Sequence, residues 1–447
     1  MVDGICHNDV HFIFKRCYKL KLTQKEKKML SGYYGKGVQK AMELLVSVGE
    51  IYNAEHMIPV SSSHLVIPEI QLFPKGKEAQ WGTEITQVFL EGVEKFAIPT
   101  TTNATILDID KAKKLKIPNW FIRDMKLIFQ RTMEIYESKG AIPNYSCAPY
   151  FDFLFRKNEH LGGAESIQVL YNNSVNGARI NRESGPTALC TAITGVTPCF
   201  GMHIKENRYG KVLFRLDERL NADKFSDADL NAIGYFAGRQ CLDKIPIFQG
   251  FSRYMNQTEL KYLCVPLAVT AGIPMIHVVG VTPEAETLDD ALGGKNPEKI
   301  INITKESIKS SYDMLNTAGD SDKIDYIALG CPHCSLQELR EISDLLEGKK
   351  ISSDLIFFVA VSTIKYDLAN RMGIVNKIED AGGVVVKGMC PGSSIFGRYG
   401  KELNVKTVMT NSAKNAHYIG AHSGGFVKTI FASKQKCIEA ALTGDWR

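Results

Sequence analysis

The stretch Ile324-Asp-Tyr-Ile-Ala-Leu-Gly-Cys-Pro-His-Cys-Ser335 combines an apolar run, a turn that contains two cysteines, and the start of a helix. The residues up to Leu329 are nearly all apolar, which is typical of a strand that is covered on both faces of a parallel sheet. Gly330 and Pro332 indicate a turn. Ser335-Leu-Gln-Glu338 is a capping box, which predicts a helix from this point. The order of strand, turn and helix favours an α/β unit.

The same alternation continues on both sides of this stretch. Further strand-like runs cover 57–60, 96–99, 273–279, 355–361, 383–386 and 405–409. The apolar spacing and a capping box at Thr23 predict helices over 24–49, where one or two are expected, and over 84–93, 119–138, 306–315, 335–346, 364–372 and 435–442. We therefore predict an α/β fold with parallel or mixed sheets flanked by helices.

The length of 447 residues exceeds what one core holds, so we expect two or three lobes, with boundaries near 140 and 270. The segment 145–215 is rich in Asn, Gly, Ser, Arg and His, as is typical of loops that carry chemistry. Residues 1–20 contain Cys6, His7, His11 and Cys17, whose spacing matches no common zinc site. We read them as an N-terminal extension.

Composition excludes several classes of protein. The 54 basic and 49 acidic residues give a net charge of +5 with both signs interleaved, which disfavours a nucleic-acid-binding surface. No apolar run approaches the roughly 20 residues of a membrane span. The amino terminus lacks the pattern of a secretory signal, so we predict a cytoplasmic protein. Its eleven cysteines are then not expected to form disulfides.

Three cysteines stand apart because each lies in a turn with proline one or two positions later: Cys147, Cys331 and Cys390. The last two follow predicted strands, where α/β sheets place their sites. Rigid loops that present thiols from distant parts of the chain suit a metal or iron–sulfur site. The alternative is that each is a small buried apolar residue. We prefer this alternative for four cysteines inside apolar or helical runs, Cys190, Cys241, Cys264 and Cys437.

Cys331 and Cys334 also form a Cys-X-X-Cys motif at the start of a predicted helix. This is the layout of thiol–disulfide oxidoreductases, in which the helix terminus stabilises the first thiolate. A thiol oxidoreductase therefore stays open as an alternative function.

Polar motifs fill the middle of the chain. They are Glu165-Ser166, Asn172-Asn-Ser174, Gly177-Ala-Arg-Ile-Asn-Arg-Glu183, Gly201-Met-His203 and Glu206-Asn-Arg208, with further polar insertions at 61–64, 101–103, 282–284 and 411–414. Arginine binds carboxylate or phosphate with two parallel hydrogen bonds, and Glu, His and Ser transfer protons. Taken alone, such motifs are more often solvated loops than sites.

In combination, six ordered motifs resemble the aconitase X family from about Leu22 to Trp446. They are Ser146-Cys-Ala-Pro-Tyr150, Asn173-Ser-Val-Asn-Gly-Ala-Arg-Ile-Asn-Arg-Glu183, Gly201-Met-His203 with Glu206-Asn-Arg208, Gly280-Val-Thr-Pro-Glu284, Gly330-Cys-Pro-His333 and Thr410-Asn-Ser-Ala-Lys-Asn-Ala-His-Tyr418. The resemblance implies an aconitase-like fold in two or three lobes around an iron–sulfur site. It also implies a hydro-lyase with Cys147, Cys331 and Cys390 as cluster ligands.

A cluster held by three thiolates leaves one iron open as a Lewis acid. We expect a 4Fe–4S cluster in preference to a 2Fe–2S cluster. The substrates that the family suggests are cis-3-hydroxy-L-proline and mevalonate 5-phosphate, both small anions. Candidate catalytic residues are Ser61, His64, Glu165, Ser166, Glu183 and His203. Candidate substrate-binding residues are Asn103, Asn173, Ser174, Arg179, Asn181, Arg182, Arg208, Ser412 and Lys414.

Aconitase-type enzymes also use a small swivelling domain, fused or separate, that closes the site. The chain stops just after the family's last large-domain motif, so we expect residues 21–447 to be a large subunit that pairs with a separate small one. A non-catalytic member that keeps the fold as an interaction platform stays open as a further alternative.

Overall fold

The computed structural model describes residues 20–66, 81–392 and 395–447, so the cysteines and histidines before residue 20 lie outside it. The strands are β1 Met57–Pro59, β2 Ser63–Leu65, β3 Thr100–Thr102, β4 Gly162–Gly163, β5 Val196–Pro198, β6 Val212–Leu216, β7 Pro246–Gln249, β8 His277–Val278, β9 Lys299–Ile303, β10 Tyr326–Leu329, β11 Ile356–Val361, β12 Val384–Lys387, β13 Thr407–Thr410 and β14 Lys428–Phe431.

The helices are α1 Gln24–Leu30, α2 Lys36–Ile51, α3 Trp81–Leu90, α4 Asn119–Ser138, α5 Ser166–Ser174, α6 Gly185–Thr194, α7 Asp227–Cys241, α8 Gln257–Thr270, α9 Leu288–Leu292, α10 Lys305–Leu315, α11 Leu336–Leu346, α12 Thr363–Arg371, α13 Ile374–Asp380, α14 Ile395–Tyr399, α15 Ala413–His422 and α16 Lys434–Thr443. In the part of the chain that is described, no helix is both long enough and apolar enough to cross a membrane.

The strand that ends at Leu329 is the central strand of a five-stranded parallel sheet in the order β12-β11-β10-β13-β14. Ile327 and Leu329 pack on α11, α13 and α16 on one face of this sheet. Tyr326 and Ala328 pack on α4 and α14 on the other face. Because both faces are buried, nearly every strand residue must be apolar, and this explains the continuous apolar runs in the sequence.

Three smaller sheets complete the described fold. A four-stranded parallel sheet has the order β8-β7-β6-β9 and shares a core with α7 and α8. A three-stranded parallel sheet has the order β3-β2-β4, and β1 pairs with β5 in an antiparallel ribbon. The prediction of parallel or mixed sheets flanked by helices is confirmed.

Some sequence-based elements were wrong. The run 96–99 is not a strand, since the strand starts at Thr100, and of 273–279 only β8 is extended. The predicted loop region 145–215 contains α5 and α6. Helix α6 begins at a capping box in which Ser184 and Thr187 bond reciprocally. These helices are short and carry buried polar residues, so their apolar periodicity is weak.

Candidate active site

The three turn cysteines lie on loops at one edge of the five-stranded sheet. Cys331 follows β10 and Cys390 follows β12, and the carboxyl ends of parallel strands meet at the same edge. Cys147 lies between α4 and a 3₁₀ helix at Pro149–Phe151. The Cys331 thiol is close enough to act electrostatically on Cys147, and the Cys390 thiol acts likewise on Cys331. The fold therefore brings three thiols together from distant parts of the chain.

Glycine is required where two of these loops leave the sheet. Gly330 has φ +92°, and a Cβ there would lie 2.3 Å from the Ala360 carbonyl oxygen on β11. Gly388 has φ +66°, and its Cβ would lie 2.6 Å from the Cβ of Tyr145. Both positions combine a left-handed backbone with close packing, which only glycine tolerates.

Backbone hydrogen bonds attach two of the loops to the end of β3. The Ser146 amide donates to the Thr102 carbonyl at 3.0 Å. Thr105 donates its amide to the Gly388 carbonyl and accepts from the Cys390 amide, both at 2.7 Å. The loops of Cys147 and Cys390 are therefore held by one extended segment, 102–105.

His333, two residues after Cys331, contacts the other two loops. Its amide donates to the Cys147 sulfur at 3.3 Å, and its ring Nε2 lies 2.7 Å from the Met389 carbonyl oxygen. Because a carbonyl only accepts, the ring proton lies on Nε2. The side chain is buried.

The electrostatic environment keeps the thiols of Cys147 and Cys331 neutral when no metal is bound. Burial raises the pKa of Cys147 well above its usual value and that of Cys331 to about 12, although Lys414 acts in the opposite direction on both. A coordinated iron supplies the missing positive charge and deprotonates a thiol outright. This chemistry suits cluster ligands.

Lys414 and Glu165 form a buried ion pair beside these thiols, with Nζ 2.9 Å from Oε1. Burial alone would lower the pKa of Lys414, but Glu165 and the Cys331 thiol raise it above its usual value. Burial would raise the pKa of Glu165, but Lys414 lowers it below its usual value. Both side chains are therefore charged at neutral pH.

His64, Asn103 and Ser412 border this ion pair and the thiols. His64 donates or accepts through Nδ1 at 2.7 Å from the Thr101 hydroxyl, and its buried Nε2 has no hydrogen-bond partner among the described residues. Burial lowers the pKa of His64 to about 4, against the effects of Glu165 and the Ser146 backbone. The Asn103 amide donates to Glu165 at 3.3 Å, and the Ser412 hydroxyl lowers the pKa of Cys331.

Ser61 and His64 also line a cavity of about 180 Å³ next to Pro149. This cavity adjoins the Cys147 loop at Pro149. Ser166 begins α5 directly after Glu165, which caps that helix through its carboxylate.

These residues fit an iron–sulfur cluster better than a single ion. Across the described ranges, no group of three or more His, Cys, Asp or Glu side chains is arranged to hold one metal ion. A cluster is several atoms wide, so its thiolate ligands stand further apart than the ligands of one ion. Three thiols from separate loops, a nearby lysine and an amide donor to sulfur match that requirement.

The other predicted site residues form a separate network around Arg208. All three guanidinium nitrogens of Arg208 are engaged, with the Glu284 carboxylate, the Asn173 side chain and the carbonyls of Asn173, Ala178 and Met202. Asn173 also bonds the backbone of Ile180. Arg208 is 1% exposed and holds these segments together.

The remaining residues of the middle motifs mainly bond to the backbone or to each other. Ser174 accepts from the Ile276 amide, Asn181 bonds the backbone of Phe200 and Met202, and Arg182 donates to the Gly272 carbonyl. Arg179 donates to the carbonyl of His203, and His203 pairs through Nδ1 with His160 at 3.0 Å. None of these hydrogen bonds reaches Cys147, Cys331 or Cys390.

Glu183 lies between β4, β5 and α6. Its carboxylate accepts from the Gly163 amide at 2.9 Å and from the hydroxyls of Thr197 and Thr191. Burial raises the pKa of Glu183 to about 7, against the effect of these hydrogen bonds.

Three family models together match most of the chain. They describe the Aconitase X first domain over residues 19–206, the second domain over 210–313 and the third domain over 324–443. The chain belongs to the aconitase X family. The crystal structure of Thermococcus kodakaraensis aconitase X (holo-form) is similar, with a TM-score of 0.80 and 29% identity, over 94% of this chain and 100% of that one.

Curated relatives in the aconitase X family are dehydratases. The phosphomevalonate dehydratase large subunit of Methanocaldococcus jannaschii is 36% identical over 410 residues, which are 89% of this chain and 94% of that protein. The cis-3-hydroxy-L-proline dehydratase of Hypocrea jecorina is 29% identical over 432 residues, which are 95% of this chain and 69% of that protein. Both names denote hydro-lyases, so this is a family of carbon–oxygen lyases.

Sequence reasoning missed two residues that hold the aconitase X cysteine loops in place. One is His333, which lies between Cys331 and Cys334. The other is Asn415, whose side-chain amide donates to the Pro391 carbonyl at 2.8 Å and so ties the Cys390 loop to α15. Both partners are distant in sequence, but each residue is polar and adjoins a predicted site residue, which is the signal that could have identified it.

Proposed function

We propose that this chain is the large subunit of an iron–sulfur hydro-lyase that removes water from a small hydroxy acid. The convergence of Cys147, Cys331 and Cys390 beside the Lys414–Glu165 pair carries the proposal. We assign these three thiols as cluster ligands. A 4Fe–4S cluster stays our prediction for its type.

When bound, such a cluster supplies an open iron as a Lewis acid for the hydroxyl and carboxylate of the substrate. The charged Lys414 binds the substrate carboxylate, with Asn103 and Ser412 beside it. Glu165 holds the ammonium in place. His64 is neutral at pH 7. In the tautomer that donates from Nδ1 to Thr101, its Nε2 carries a lone pair, and in this form we assign it as the base that accepts a proton from the carbon next to the carboxylate.

We favour mevalonate 5-phosphate over cis-3-hydroxy-L-proline as the substrate. Five of the seven matching curated relatives are named phosphomevalonate dehydratase large subunit, with identities of 26–36% to this chain. The two hydroxyproline dehydratases are 28–29% identical to this chain, and this chain aligns with 69% of their length. The name of the first group also supports a separate small subunit as the partner, which would form a heterodimer.

We assign a structural role to the polar network around Arg208. Because its donors already bind protein acceptors, Arg208 has no free group for a phosphate or carboxylate. Arg179, which is half-buried, and the exposed Arg182 keep surface that an anion can reach. In the histidine pair, His203 is buried. Its predicted catalytic role and the substrate-binding roles of Arg179 and Arg182 stay predictions.

A thiol–disulfide oxidoreductase is a weaker alternative. That activity needs a lowered thiol pKa, but burial raises the pKa of both Cys331 and Cys334. Cys334 also packs in the apolar core of the five-stranded sheet. The nine described cysteines form no disulfide. We propose the cytoplasm as the compartment of this chain.

Anaerobic dehydration assays on both substrates test the function. They use the iron-reconstituted chain, alone and with a candidate small subunit of the phosphomevalonate dehydratase type. We expect turnover of mevalonate 5-phosphate only with both subunits present. Turnover of cis-3-hydroxy-L-proline without turnover of mevalonate 5-phosphate would show that our choice of substrate is wrong and that cis-3-hydroxy-L-proline is the substrate. Iron uptake without activity on either would favour an unassigned substrate, and no iron uptake with the partner present would favour the non-catalytic platform.

A further inference from the structure

His333 connects the three loops that carry the proposed ligands. It belongs to the Cys331 loop, its amide donates to the Cys147 sulfur at 3.3 Å, and its ring donates to the Met389 carbonyl, one residue before Cys390, at 2.7 Å. Two of its polar groups therefore define two distances between loops.

The surroundings make this contact a strong determinant of loop position. The side chain is 1% exposed, and Met389 is fully buried, so water cannot replace either partner of the ring hydrogen bond. Main-chain bonds hold Cys390 relative to β3 through Thr105, and they tie both loops to β11, where Cys334 donates to the Ala360 carbonyl and Gly388 donates to the Val361 carbonyl. The ring of His333 adds a direct hydrogen bond between the Cys331 loop and the residue before Cys390.

We propose that His333 is a positioning residue that sets the spacing of Cys331, Cys147 and Cys390 for the cluster. This inference rests on the proposed function, because it assumes that these thiols are the ligands. The amide of His333 has a second effect: an N–H donated to a ligand sulfur stabilises negative charge on it and raises the reduction potential of a cluster. Displacing the loop lengthens this bond and lowers the potential.

The chain contains a matched control in His277. This histidine is also buried, its Nε2 also lies 2.7 Å from a backbone carbonyl, that of Arg208, and its Nδ1 also lacks a partner among the described residues. It lies on β8 in the four-stranded sheet. Changes at His277 therefore reproduce the general cost of losing a buried histidine without touching the cysteine loops.

The test compares His333→Leu and His333→Gln with His277→Leu and His277→Gln. Glutamine keeps a donor for the carbonyl, whereas leucine removes it. Iron and sulfide per chain are measured after anaerobic reconstitution. The alkylation rates of Cys147, Cys331 and Cys390 are measured by mass spectrometry on iron-free protein, and thermal melting reports the fold.

We expect His333→Leu to lose at least fivefold in bound iron, to alkylate Cys390 at least threefold faster, and to lower the reduction potential of any cluster that remains. His333→Gln should recover most of both losses. The His277 variants should keep wild-type iron content and alkylation, even where melting falls. Wild-type iron content and alkylation in His333→Leu would overturn the proposal.

Equal losses in the leucine and glutamine variants at His333 would also overturn it, because a donor to Met389 would then be irrelevant. If the wild-type chain binds no iron, the proposed function fails. The alkylation rates of the iron-free protein still decide in that case whether His333 spaces the loops.

Discussion

At the scale of single residues, the two cysteines and the histidine of the 331–334 loop have different environments although they are neighbours in sequence. Cys331 is partly exposed and faces the other two thiols, whereas Cys334 is 3% exposed and packs in the apolar core. His333 reaches two further loops. In the sequence, the proline that follows Cys331 already separated the two thiols, and the structure adds that Cys334 lies in an apolar core.

This difference predicts opposite outcomes for two serine substitutions. Cys331→Ser removes a proposed ligand, so we expect at least a tenfold loss of bound iron with the fold retained. Cys334→Ser places a hydroxyl in an apolar core, which should cost about 1–3 kcal/mol in the free energy of unfolding but leave iron binding intact. Iron assays and urea unfolding check both. Iron loss confined to Cys334→Ser would reverse the ligand assignment.

Glu183 predicts a specific dependence of stability on pH. Its carboxyl has a pKa near 7 in the folded chain, above the usual value of a glutamate, so the folded form keeps a proton that the unfolded form releases. The associated stability is complete at low pH and is lost as pH rises through 7, with a loss on the order of 3 kcal/mol between pH 4.5 and 8. Glu183→Gln should abolish this loss.

Urea unfolding of wild type and Glu183→Gln at pH 5 and pH 8 checks this prediction. The variant should gain stability relative to wild type as pH rises. The exposed residue Glu218 provides the control. Glu218→Gln should change the free energy of unfolding by the same amount at pH 5 and at pH 8. If the free energy of unfolding of the wild type, relative to that of Glu183→Gln, instead rises between pH 5 and 8, the assignment of a raised pKa to Glu183 is wrong.

At the scale of helices and strands, the connection between β10 and the Cys331 loop depends on Gly330. A methyl group there meets the carbonyl of the neighbouring strand β11, in addition to the left-handed backbone. Gly348 has a similar φ of +70°, but nothing lies within 4 Å of its added Cβ. The two positions separate backbone strain from the close contact.

Gly348→Ala should cost about 1–2 kcal/mol in the free energy of unfolding, as expected for alanine in a left-handed conformation. Gly330→Ala should cost clearly more and should also reduce iron binding, because the strand end must move. Chemical unfolding and iron content measure both effects. Equal costs at the two glycines would show that the contact with Ala360 relaxes freely.

The strands differ in how far they could be predicted. Four strands of the five-stranded sheet, β10 to β13, were recognisable because burial on both faces makes them continuously apolar, whereas β14 was not predicted. Strands β2, β3 and β4 were not, because they consist of three or fewer residues each and contain Ser, His, Thr and Gly. Their polar character follows from their place beside His64 and the cysteine loops, which depends on contacts remote in sequence.

At the scale of the whole molecule, a buried ion pair joins the four-stranded and five-stranded sheets. Lys261 on α8 lies 2.5 Å from Glu338 on α11, and the hydroxyl of Tyr262 donates to the same carboxylate at 2.6 Å. Glu338 also accepts from the Ser335 amide at the start of α11, directly after the cysteine loop. One carboxylate thus connects two cores and the helix that follows Cys334.

Glu338→Gln should therefore destabilise the chain by about 3–5 kcal/mol, because it leaves a buried lysine without its counter-charge. The exposed pair Lys309–Asp313 provides the control, and Asp313→Asn should cost less than about 0.5 kcal/mol. Urea unfolding measures both. A cost below 1 kcal/mol for Glu338→Gln would show that Lys261 finds another partner or sheds its proton.

The residues of the candidate site also differ in how far their roles could be predicted from the sequence. The cysteines, Glu165 and Lys414 were named from turns and motifs, and the fold brings them together. Arg208 and Asn173 were named with them because motifs rich in Arg and Asn look alike whether they bind a ligand or the backbone. Only the fold shows that Glu284, 76 residues away, already neutralises Arg208.

The distance along the chain between the three cysteine loops has a consequence for biosynthesis. When Cys147 leaves the ribosome, more than half of the chain is still to be translated. Its partners reach it only after β10, β11 and β12 have paired. A cellular donor of iron and sulfur would therefore meet this protein after its synthesis is nearly finished, as a folded acceptor and not as a nascent chain.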